Sequence, residues 1–506
     1  MRLWLLVFLT LTGPAFAQST LGTRPEFEIR LVAAVFGAAF TFIESRSLGP
    51  APVEQLALWS LGSLTSLDPA LMVERRGALL SLGRGGLEIY RRGVPLANTG
   101  ELWGPAVADV LSAAWDVSDP VRRAGTQGLI SALFEEMLNH LNPYSRYVAP
   151  GAAVVDRERR SGDAGAGIKL TRLGGQFVVV SVNQEGPGAE AGIVIGDRLT
   201  AVDDQPVLGE DVPTVLGWIA GVEGTDVDLT IRGRDGRTRT VELERAVVPP
   251  ETVFAELRGT ILLLRVTAFS ADTDQRLRQE LERALEGPSG QRLRGIILDL
   301  RGNRGGLLRQ AALATGLFLS SGLIATTEGR NSNANHEFRA SEPDLTEGRP
   351  IVVLVDGRSA SAAEIMAAAL ADNGRAIVVG SSTLGKGLVQ TIATLPDGGE
   401  LFVTWSRVLA PRGWPLQGLG VMPQVCTSQG PDSTTVQLQS LTHGTSRMAA
   451  AVARERATRA PVPANEIINL RTPCPAADGR DGDLVAARYL LANDRAYETA
   501  RLPQRP

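Results

Sequence analysis

Between residues 261 and 379, short apolar runs alternate with amphipathic segments, and this alternation limits the fold more than any other feature of the chain. The apolar runs have the length of strands, and the segments between them have helical spacing. The runs are residues 261–266, 295–300, 351–355 and 376–379, and the amphipathic segments are residues 273–285, 307–319 and 362–371. Such alternation predicts a sheet with helices packed against it. Since open α/β sheets collect reactive groups where strands end, the loops after these strands are the candidate functional segments.

The remaining stretches differ from this α/β part and divide the chain into regions. Residues 18–155 are mainly helical by pattern, with apolar residues three and four apart, and residues 431–506 form a second helical stretch. Residues 163–247 instead contain short β-rich runs separated by Gly, Asp and Pro. The predicted fold class is an α+β multidomain protein, with a helical N-terminal region, a β-rich domain, an α/β core at residues 248–430 and a helical C-terminal extension.

The first residues have the features of a secretory signal peptide. Arg2 precedes an apolar run at residues 3–11, and an Ala-Phe-Ala tripeptide, which signal peptidase cleaves, ends at Ala17. An uncleaved membrane anchor is the alternative, but the run is too short to span a bilayer. We therefore predict a signal peptide at residues 1–17, no integral membrane segment after its removal, and a periplasmic location if the source is a Gram-negative bacterium.

The charge balance and the scarce residues exclude several functions. The 51 Lys+Arg residues against 55 Asp+Glu give a net charge of −4, whereas a general nucleic-acid binder needs a basic face. The three His and two Cys lack the spacing of metal ligands, so we expect neither a metal nor a cofactor. In an oxidising compartment Cys426 and Cys474 are expected to form a disulfide, and the alternative is that both are buried free thiols.

One loop of the α/β part must first be tested as a phosphate-binding loop. Gly380, Gly385 and Lys386 satisfy the G-x-x-x-x-G-K pattern after a strand. The next residue, however, is Gly387, where Mg²⁺ coordination needs Ser or Thr. A helix should also follow, but residues 388–392 are rich in β-branched side chains and indicate a strand. The pattern therefore argues against an NTPase.

Lys386 is better explained as the base of a hydroxyl nucleophile. A buried lysine can be partly neutral, and Ser361 lies in another of the candidate loops. Ser361 begins a predicted helix with Glu364 three residues on, so an ordinary N-cap is the alternative for the serine, and a surface position is the alternative for the lysine. A nucleophile-elbow hydrolase is excluded, because the segment that ends at Ser361 lacks the second Gly and no plausible His follows.

With these residues in place, the α/β part resembles the C-terminal processing peptidases, which are serine proteases with a Ser/Lys dyad and an inserted PDZ domain. The matching segments are Arg265-Val-Thr-Ala-Phe-Ser270, Ile297-Leu-Asp-Leu-Arg-Gly-Asn-Arg-Gly-Gly-Leu307, Ser359-Ala-Ser-Ala-Ala-Glu-Ile365, Leu384-Gly-Lys-Gly-Leu-Val-Gln390 and Gly418-Leu-Gly-Val-Met-Pro423. The resemblance implies a layered α/β protease core of the crotonase-like or ClpP-like kind.

The resemblance also implies roles for residues in the loops. Ser361 corresponds to the nucleophile, Lys386 to the general base and Gln390 to the amide that orients the lysine. The backbone N–H groups of Gly306 and Ala362 correspond to the oxyanion hole. Family members commonly have Asn-Asn-Pro-Gly-Gly where this chain has Gly-Asn-Arg-Gly-Gly, ending at Gly306.

Residues 163–247 resemble a PDZ domain of the bacterial protease-associated type. The matching segments are Gly165-Ala-Gly-Ile168, Pro187-Gly-Ala-Glu-Ala-Gly192 and Ile195-Gly-Asp-Arg-Leu-Thr-Ala-Val-Asp203. By this resemblance Gly165, Ala166, Gly167 and Ile168 bind the terminal carboxylate of a peptide that adds a strand to the sheet edge. A plain turn or linker is the alternative for these residues taken alone. A larger apolar residue is usual where this chain has Ala166.

The resemblance predicts an extracytoplasmic serine endopeptidase that recognises protein C-termini through the PDZ domain and cleaves through an acyl-enzyme. The alternative is a proteolytically silent, PDZ-bearing adaptor or holdase on a protease fold, against which the intact Ser361, Lys386 and Gln390 argue. The expected partners are proteins or peptides with exposed C-termini. A homo-oligomer through the helical termini and an activating partner are further options, and no nucleic-acid partner is expected.

Overall fold

The computed structural model describes residues 26–183, 186–286 and 290–503 of the 506-residue chain. The predicted signal peptide at residues 1–17 lies outside the described residues. Within the described ranges, no helix is both long and apolar enough to cross a membrane.

The N-terminal region is mainly helical, as its apolar spacing predicts, and its helices enclose a core of Val, Leu, Phe and Trp side chains. The helices are α1 (Ile29–Arg46), α2 (Val53–Leu67), α3 (Gly100–Val117), α4 (Asp119–Asn139) and α5 (Pro150–Ser161). Gly104 lets α3 approach α1 closely, since a Cβ atom at this position would lie 2.4 Å from the Ala33 carbonyl oxygen. The two helices therefore pack backbone against backbone.

The same region contains a small antiparallel sheet that the helical prediction did not include. Its strands are β1 (Leu71–Arg76), β2 (Leu79–Arg84) and β3 (Leu87–Gly93), and a separate short strand, β4 (Arg146–Val148), follows α4. In the three-stranded sheet, the buried side chains are those of Leu71, Leu80 and Leu82. Short strands with so few buried side chains have a weak period of two, which explains why the sequence pattern did not reveal them.

Residues 163–247 form the β-rich module that the sequence predicts. Its elements are β5 (Asp163–Gly165), β6 (Ile168–Leu173), β7 (Gln176–Val182), α6 (Pro187–Glu190), β8 (Arg198–Val202), β9 (Gln205–Pro206), α7 (Val212–Ile219), β10 (Asp226–Arg232) and β11 (Thr238–Glu244), and β12 (Ala246–Val248) follows. The main sheet has the order β11-β10-β8-β7-β6, with β9 beside β8, and β5 pairs separately with β12. β6 is the edge strand of this sheet, and a groove lined by residues of β6 and α7 runs beside it.

The α/β core is built on a six-stranded sheet that is parallel except for its first strand. The strands are β13 (Val253–Arg258), β14 (Ile261–Val266), β15 (Gly295–Asp299), β18 (Ile351–Val355), β19 (Ala376–Gly380) and β22 (Val425–Cys426), in that spatial order. Three helices pack on one face: α8 (Thr273–Leu285), α9 (Leu308–Gly316) and α10 (Ala362–Asp372). This confirms the layered α/β core that the alternating sequence pattern predicts.

A second sheet joins the helical region to the core. Its strands are β16 (Gly322–Gly329), β17 (His336–Ala340), β20 (Leu388–Thr394) and β21 (Glu400–Leu409), and a 3₁₀ helix at Ser332–Ala334 connects β16 to β17. The order is β17-β16-β21-β20, and β4 of the N-terminal region pairs antiparallel with β21. β21 therefore pairs both with β4 of the N-terminal region and with β20. β20 directly follows the loop of Lys386.

The C-terminal extension is helical, as predicted, and it forms the second layer of the core. Its helices are α11 (Pro431–Thr442), α12 (Ala449–Ala457), α13 (Ala464–Arg471), α14 (Asp481–Ala492) and α15 (Asp494–Ala500). α11, α14 and α15 pack on the face of the main sheet that carries Ile297, Leu354 and Val379. Because parallel strands have apolar side chains on both faces, the sheet needs a layer on each side.

Candidate active site

Three loops at one edge of the main sheet carry the residues that the sequence singles out. The oxyanion loop (residues 300–306) follows β15, the nucleophile loop (residues 356–361) follows β18, and the lysine loop (residues 381–387) follows β19. These three strands are neighbours in the sheet and run parallel. Because the carboxyl ends of neighbouring parallel strands meet at one edge, the predicted nucleophile, base and oxyanion residues are brought to one place.

Ser361 lies at the N-terminus of α10 in a strained backbone conformation. Its φ is 56° and its ψ −115°, and a positive φ in a residue other than glycine costs about 1–3 kcal/mol. The Ser361 N–H donates to Glu364 Oε2 at 2.6 Å, which helps to hold this conformation. The residue is half-buried at the positive end of a helix, a position that suits a nucleophile.

Glu364 is fully buried and joins the nucleophile loop to the lysine loop. Its Oε2 accepts from the backbone N–H groups of Ser361, at 2.6 Å, and Lys386, at 2.9 Å. Its Oε1 accepts from the Gly385 N–H at 2.6 Å and from the Thr383 hydroxyl. Burial raises the pKa of this carboxyl, and the four hydrogen bonds oppose that rise. The capping box that the sequence predicts is thus one contact among four, and the carboxylate positions the backbone of both proposed catalytic residues.

The oxyanion loop brings glycine backbone against the nucleophile. A Cβ atom on Gly305, whose φ is +99°, would lie 2.9 Å from Ser361 Cβ. A Cβ atom on Gly306 would lie 2.1 Å from the Phe269 carbonyl oxygen, so only glycine fits here. The N–H groups of Gly306 and Ala362 have no acceptor within the part of the chain that the structure describes. Both amides are therefore free to donate to a substrate oxygen.

Asn303 holds the oxyanion loop in place from a fully buried position. Its Nδ2 donates to the Val266 carbonyl at 2.9 Å, and its Oδ1 accepts from the Gly305 N–H at 2.8 Å. Its own carbonyl accepts from the Ala360 N–H at 2.9 Å, directly before Ser361. One asparagine therefore couples the oxyanion loop to the nucleophile loop.

Lys386 is half-buried, and its ammonium group lies 5.5 Å from the centre of the Tyr144 ring. Burial is the main cause that lowers the pKa of Lys386, the positive charge of Arg146 lowers it further, and the Glu364 carboxylate opposes both. Lysine is also rare here, since Lys169 and Lys386 are the only lysines among 51 basic residues. Arginine stays protonated and cannot act as a base, whereas a lysine at this position can lose its proton and accept another. Among the described residues, no hydrogen bond joins Lys386 Nζ to Ser361 Oγ.

The surroundings of Lys386 predict a pH effect for Arg146→Gln. As the base that the sequence predicts, Lys386 would accept a proton only in its neutral form, so activity should rise with pH through its pKa. Removing the guanidinium takes away one of the causes that lower this pKa, so the alkaline rise of kcat/KM should move to higher pH. Initial rates of peptide cleavage measured from pH 6 to pH 10 provide the test.

The control for this prediction is Arg157→Gln, which removes a nearby arginine that pairs with Glu400 at 3.1 Å. Its pH profile should match that of the wild type, because in the part of the chain that the structure describes the charges that act on Lys386 are those of Arg146 and Glu364. Arg146 itself faces Asp156, Arg160 and Glu400. Identical profiles for Arg146→Gln and the wild type would contradict the predicted effect.

Gln390 lies in β20 and is held by a network from the N-terminal region. Its Nε2 donates to Thr404 Oγ1 at 3.2 Å, and the Thr404 hydroxyl donates to Asn142 Oδ1 at 2.8 Å. The Thr404 N–H donates to Ser145 Oγ at 3.1 Å. Within the described residues Gln390 makes no hydrogen bond to Lys386, so its role in orienting the lysine stays a prediction. The same short segment that contains Tyr144 thus also anchors the strand of Gln390.

The groove of the β-rich module contains the residues predicted to bind a C-terminal carboxylate. Gly165 ends β5, Ala166 and Gly167 form the turn, and Ile168 begins β6. Ala166 and Gly167 donate no hydrogen bond from their N–H groups to the described residues. The groove is lined by Gly167, Ile168 and Leu170 on one side and by Leu216, Ile219 and Ala220 on the other. This arrangement offers two free amides at the end of an apolar groove beside an edge strand.

Ala166 is buried in the core of this module, which accounts for its small side chain. Its carbonyl accepts from the Gly188 N–H at 2.8 Å, and the Gly188 Cα lies so close that an added Cβ would be 2.7 Å from that carbonyl oxygen. Ala166 thus contributes both to the core of the module and to the lining of the groove.

The two cysteines are joined as the disulfide Cys426–Cys474, and both side chains are buried. The bond links β22 at the end of the core sheet to the segment after α13. Across the described ranges, no group of three or more His, Cys, Asp or Glu side chains could hold a metal ion.

Sequence reasoning missed three residues that organise the site. Glu364 was interpreted only as part of a capping box, and Asn303 only as part of a motif. Thr404 carries no local signal, because its partners are distant in sequence. A glutamate among the otherwise apolar residues 362–371 is the one pattern that signals a special role, since a buried carboxylate needs several donors.

Comparisons with known proteins show which families the chain resembles. A family model of peptidase family S41 matches residues 260–427, and one of the PDZ domain matches residues 178–233. The carboxy-terminal-processing protease of Bartonella bacilliformis is 35% identical over 306 residues, which cover 60% of this chain and 70% of that protein. The carboxy-terminal processing protease CtpA of Bacillus subtilis is 31% identical over 328 residues, covering 64% of this chain and 69% of that protein.

Among solved structures, the photosystem II D1 C-terminal processing protease shares 25% sequence identity, with 73% of this chain and 92% of that chain covered and a TM-score of 0.36. The family assignment depends on the identity and coverage of the two sequence relatives as well as on the motifs. The chain belongs to the carboxy-terminal processing protease family. It is a serine-type peptidase with a PDZ domain and an S41 core.

Proposed function

We propose that the protein is an extracytoplasmic endopeptidase that captures the C-termini of unfolded proteins in its PDZ groove and cleaves with Ser361 and Lys386 through an acyl-enzyme. The observation that carries this proposal is the carboxylate of Glu364, which accepts from the amides of both residues. An adaptor without catalysis has no need to fix the positions of a serine and a lysine relative to each other. The geometry therefore favours the protease over the silent adaptor or holdase.

Substrate capture would use the free amides of Ala166 and Gly167 for the terminal carboxylate. The peptide would extend along β6 as an added strand, with apolar side chains in the groove against Leu216 and Ile219. Only an unfolded C-terminus can adopt this extended form, so the site would select disordered tails.

In the chemical step, neutral Lys386 would take the proton of the Ser361 hydroxyl as Oγ bonds to the peptide carbonyl carbon. The carbonyl oxygen, now negative, would accept from the N–H groups of Gly306 and Ala362. Protonated Lys386 would then give its proton to the departing amine as the C–N bond breaks. Water, deprotonated by Lys386, would release the acyl group from Ser361. Before attack, Lys386 Nζ would have to lose its proton and turn from the Tyr144 ring toward Ser361.

Digestion of an unfolded protein tests the proposal. The full chain without residues 1–17 is incubated with unfolded casein, and fragments are identified by mass spectrometry. Internal cleavage that is lost in Ser361→Ala supports a serine endopeptidase. Binding of casein without any fragment in the wild type would overturn the proposal and favour the adaptor.

Substrate amidation tests the capture step. A peptide with an amidated C-terminus loses the charge that the Ala166 and Gly167 amides would bind. Since a hydrogen bond to a charged group contributes about 1.5–3 kcal/mol, KM should rise by about tenfold or more, with kcat little changed. The matched control is the same peptide acetylated at its N-terminus, which should be cleaved like the free peptide. Equal KM for the free and amidated C-termini would contradict carboxylate recognition.

Export to the periplasm would follow from the signal peptide predicted at residues 1–17. The disulfide Cys426–Cys474 fits an oxidising compartment. Mass spectrometry of the protein isolated from its source should show Gln18 as the first residue, whereas an intact N-terminus would contradict export by cleavage. The homo-oligomer and the activating partner stay predictions.

A further inference from the structure

The segment from Arg471 to Asp483, here called the C-terminal strap, contacts all three loops of the candidate active site. It lies in the extension beyond the part matched by the S41 family, which ends at residue 427. The strap begins at the end of α13, and its third residue after Arg471 is Cys474 of the disulfide. The strap is therefore tied covalently to the core sheet at one point and by hydrogen bonds at others.

Each loop has its own hydrogen bonds to the strap. In the nucleophile loop, the Gly357 N–H donates to the Ala477 carbonyl at 2.7 Å. In the lysine loop, the Ser381 hydroxyl donates to the same carbonyl at 2.8 Å and accepts from the Ala477 N–H at 3.0 Å. In the oxyanion loop, Arg301 donates to Asp483 Oδ2 at 3.1 Å. One short segment thus constrains three loops that meet only in the tertiary structure.

Arg471 makes the contact that reaches furthest toward the proposed dyad. Its guanidinium donates to the Thr383 carbonyl at 2.6 Å, to the Gly418 carbonyl at 3.3 Å and to the Leu419 carbonyl. The Thr383 hydroxyl in turn donates to Glu364, the carboxylate that holds the amides of Ser361 and Lys386. The planar guanidinium suits this fork over three carbonyls, which a lysine ammonium matches only in part.

We propose that the C-terminal strap is part of the catalytic scaffold and that Arg471 is a positioning residue that holds the lysine loop through Thr383 and Glu364. The proposal rests on the proposed Ser361 and Lys386 chemistry for its kinetic consequence, but the structural coupling stands independently of it. A strap that served only to cover the core would affect stability and leave turnover at moderate temperature unchanged.

The test compares Arg471→Gln and Arg471→Lys with the wild type in casein cleavage, thermal unfolding and hydrogen exchange. Because a displacement of about 1 Å in a catalytic group costs about a hundredfold in rate, kcat of Arg471→Gln should fall by about that factor, with KM within about twofold. Arg471→Lys should recover part of the loss. The amides of Gly385 and Lys386, which donate to Glu364, should exchange faster in Arg471→Gln.

The matched control is Arg454→Gln, which removes an exposed arginine of the same extension that donates to the Asn469 carbonyl at 3.3 Å. Its kcat and the exchange of the lysine loop should equal those of the wild type. If Arg471→Gln does not fold, Ser381→Ala replaces it, since this change removes only the two hydrogen bonds to Ala477.

The outcomes separate this inference from the proposed function. Faster exchange in the lysine loop together with reduced kcat supports the positioning role. Unchanged exchange in a folded Arg471→Gln or Ser381→Ala protein overturns it, whatever the activity. An inactive wild type would overturn the proposed function, and the exchange comparison would still decide for or against the strap. A lower melting temperature with unchanged kcat and unchanged hydrogen exchange would show that the strap only covers the core, and would overturn the inference.

Discussion

Replacing Ser361 with Ala should lower kcat for peptide cleavage by about 10⁴-fold or more and leave the fold intact. The change removes the only atom proposed to attack the substrate carbonyl. It keeps the Cβ atom and the N–H group that donates to Glu364, so the turn at the start of α10 is preserved. Single-turnover rates with an unfolded substrate, together with a denaturant unfolding curve, provide the measurement.

Lys386→Met should have an effect of similar size, because it keeps an apolar stem of similar length and removes the base. Residues that act as one unit do not contribute additively, so the double variant should be no slower than either single variant. Ser382→Ala is the matched serine control, since its buried hydroxyl has no partner within the described chain. Full activity in Ser361→Ala would contradict the assignment of the nucleophile, and full activity in Lys386→Met would contradict that of the base.

Glu364→Gln should reduce both stability and activity, because an amide cannot accept all four hydrogen bonds. One oxygen of the carboxylate accepts from Ser361 and Lys386, and the other from Thr383 and Gly385. An NH₂ group in place of either oxygen would face two donors and leave them unsatisfied in a buried site. The free energy of unfolding should fall by about 2–5 kcal/mol. Ser361 and Lys386 would then lose their fixed relative position, which should lower kcat by about a hundredfold.

Urea unfolding and initial cleavage rates measure the two effects of Glu364→Gln. The control is Glu337→Gln, at an exposed carboxylate that pairs with Arg339 on the same strand. A surface ion pair contributes about 0–1 kcal/mol, so this variant should behave like the wild type. Wild-type stability in Glu364→Gln would show that the four hydrogen bonds contribute little.

Much of the fold was accessible from local patterns. α8 has the predicted bounds of residues 273–285, and the strands of the core follow the apolar runs. The loop of Lys386 leads into a strand and not into a helix, as the β-branched residues after it predict. The small sheet at residues 71–93 was not accessible, because its strands bury too few side chains to produce a clear alternation.

The candidate site was accessible only in part. Ser361, Lys386 and Gly306 each follow a predicted strand, and neighbouring parallel strands must bring their ends together. The hydrogen bonds that hold Gln390 were not accessible, since Thr404 and Asn142 are 262 positions apart in the chain. The contact of Tyr144 with Lys386 depends in the same way on a strand of the helical region that joins the second sheet.

The amino-acid sequence by itself determined the order of the elements, the loops that carry the nucleophile and the base, and the cysteines available for a bond. These features depend on residues close together in the chain, where periodicity, glycine and spacing are sufficient. Only the tertiary structure decided that Glu364 serves both proposed catalytic loops and that the C-terminal strap contacts all three. The physical reason is that buried hydrogen-bonding groups select partners by their position in space, and distance along the chain does not predict that position.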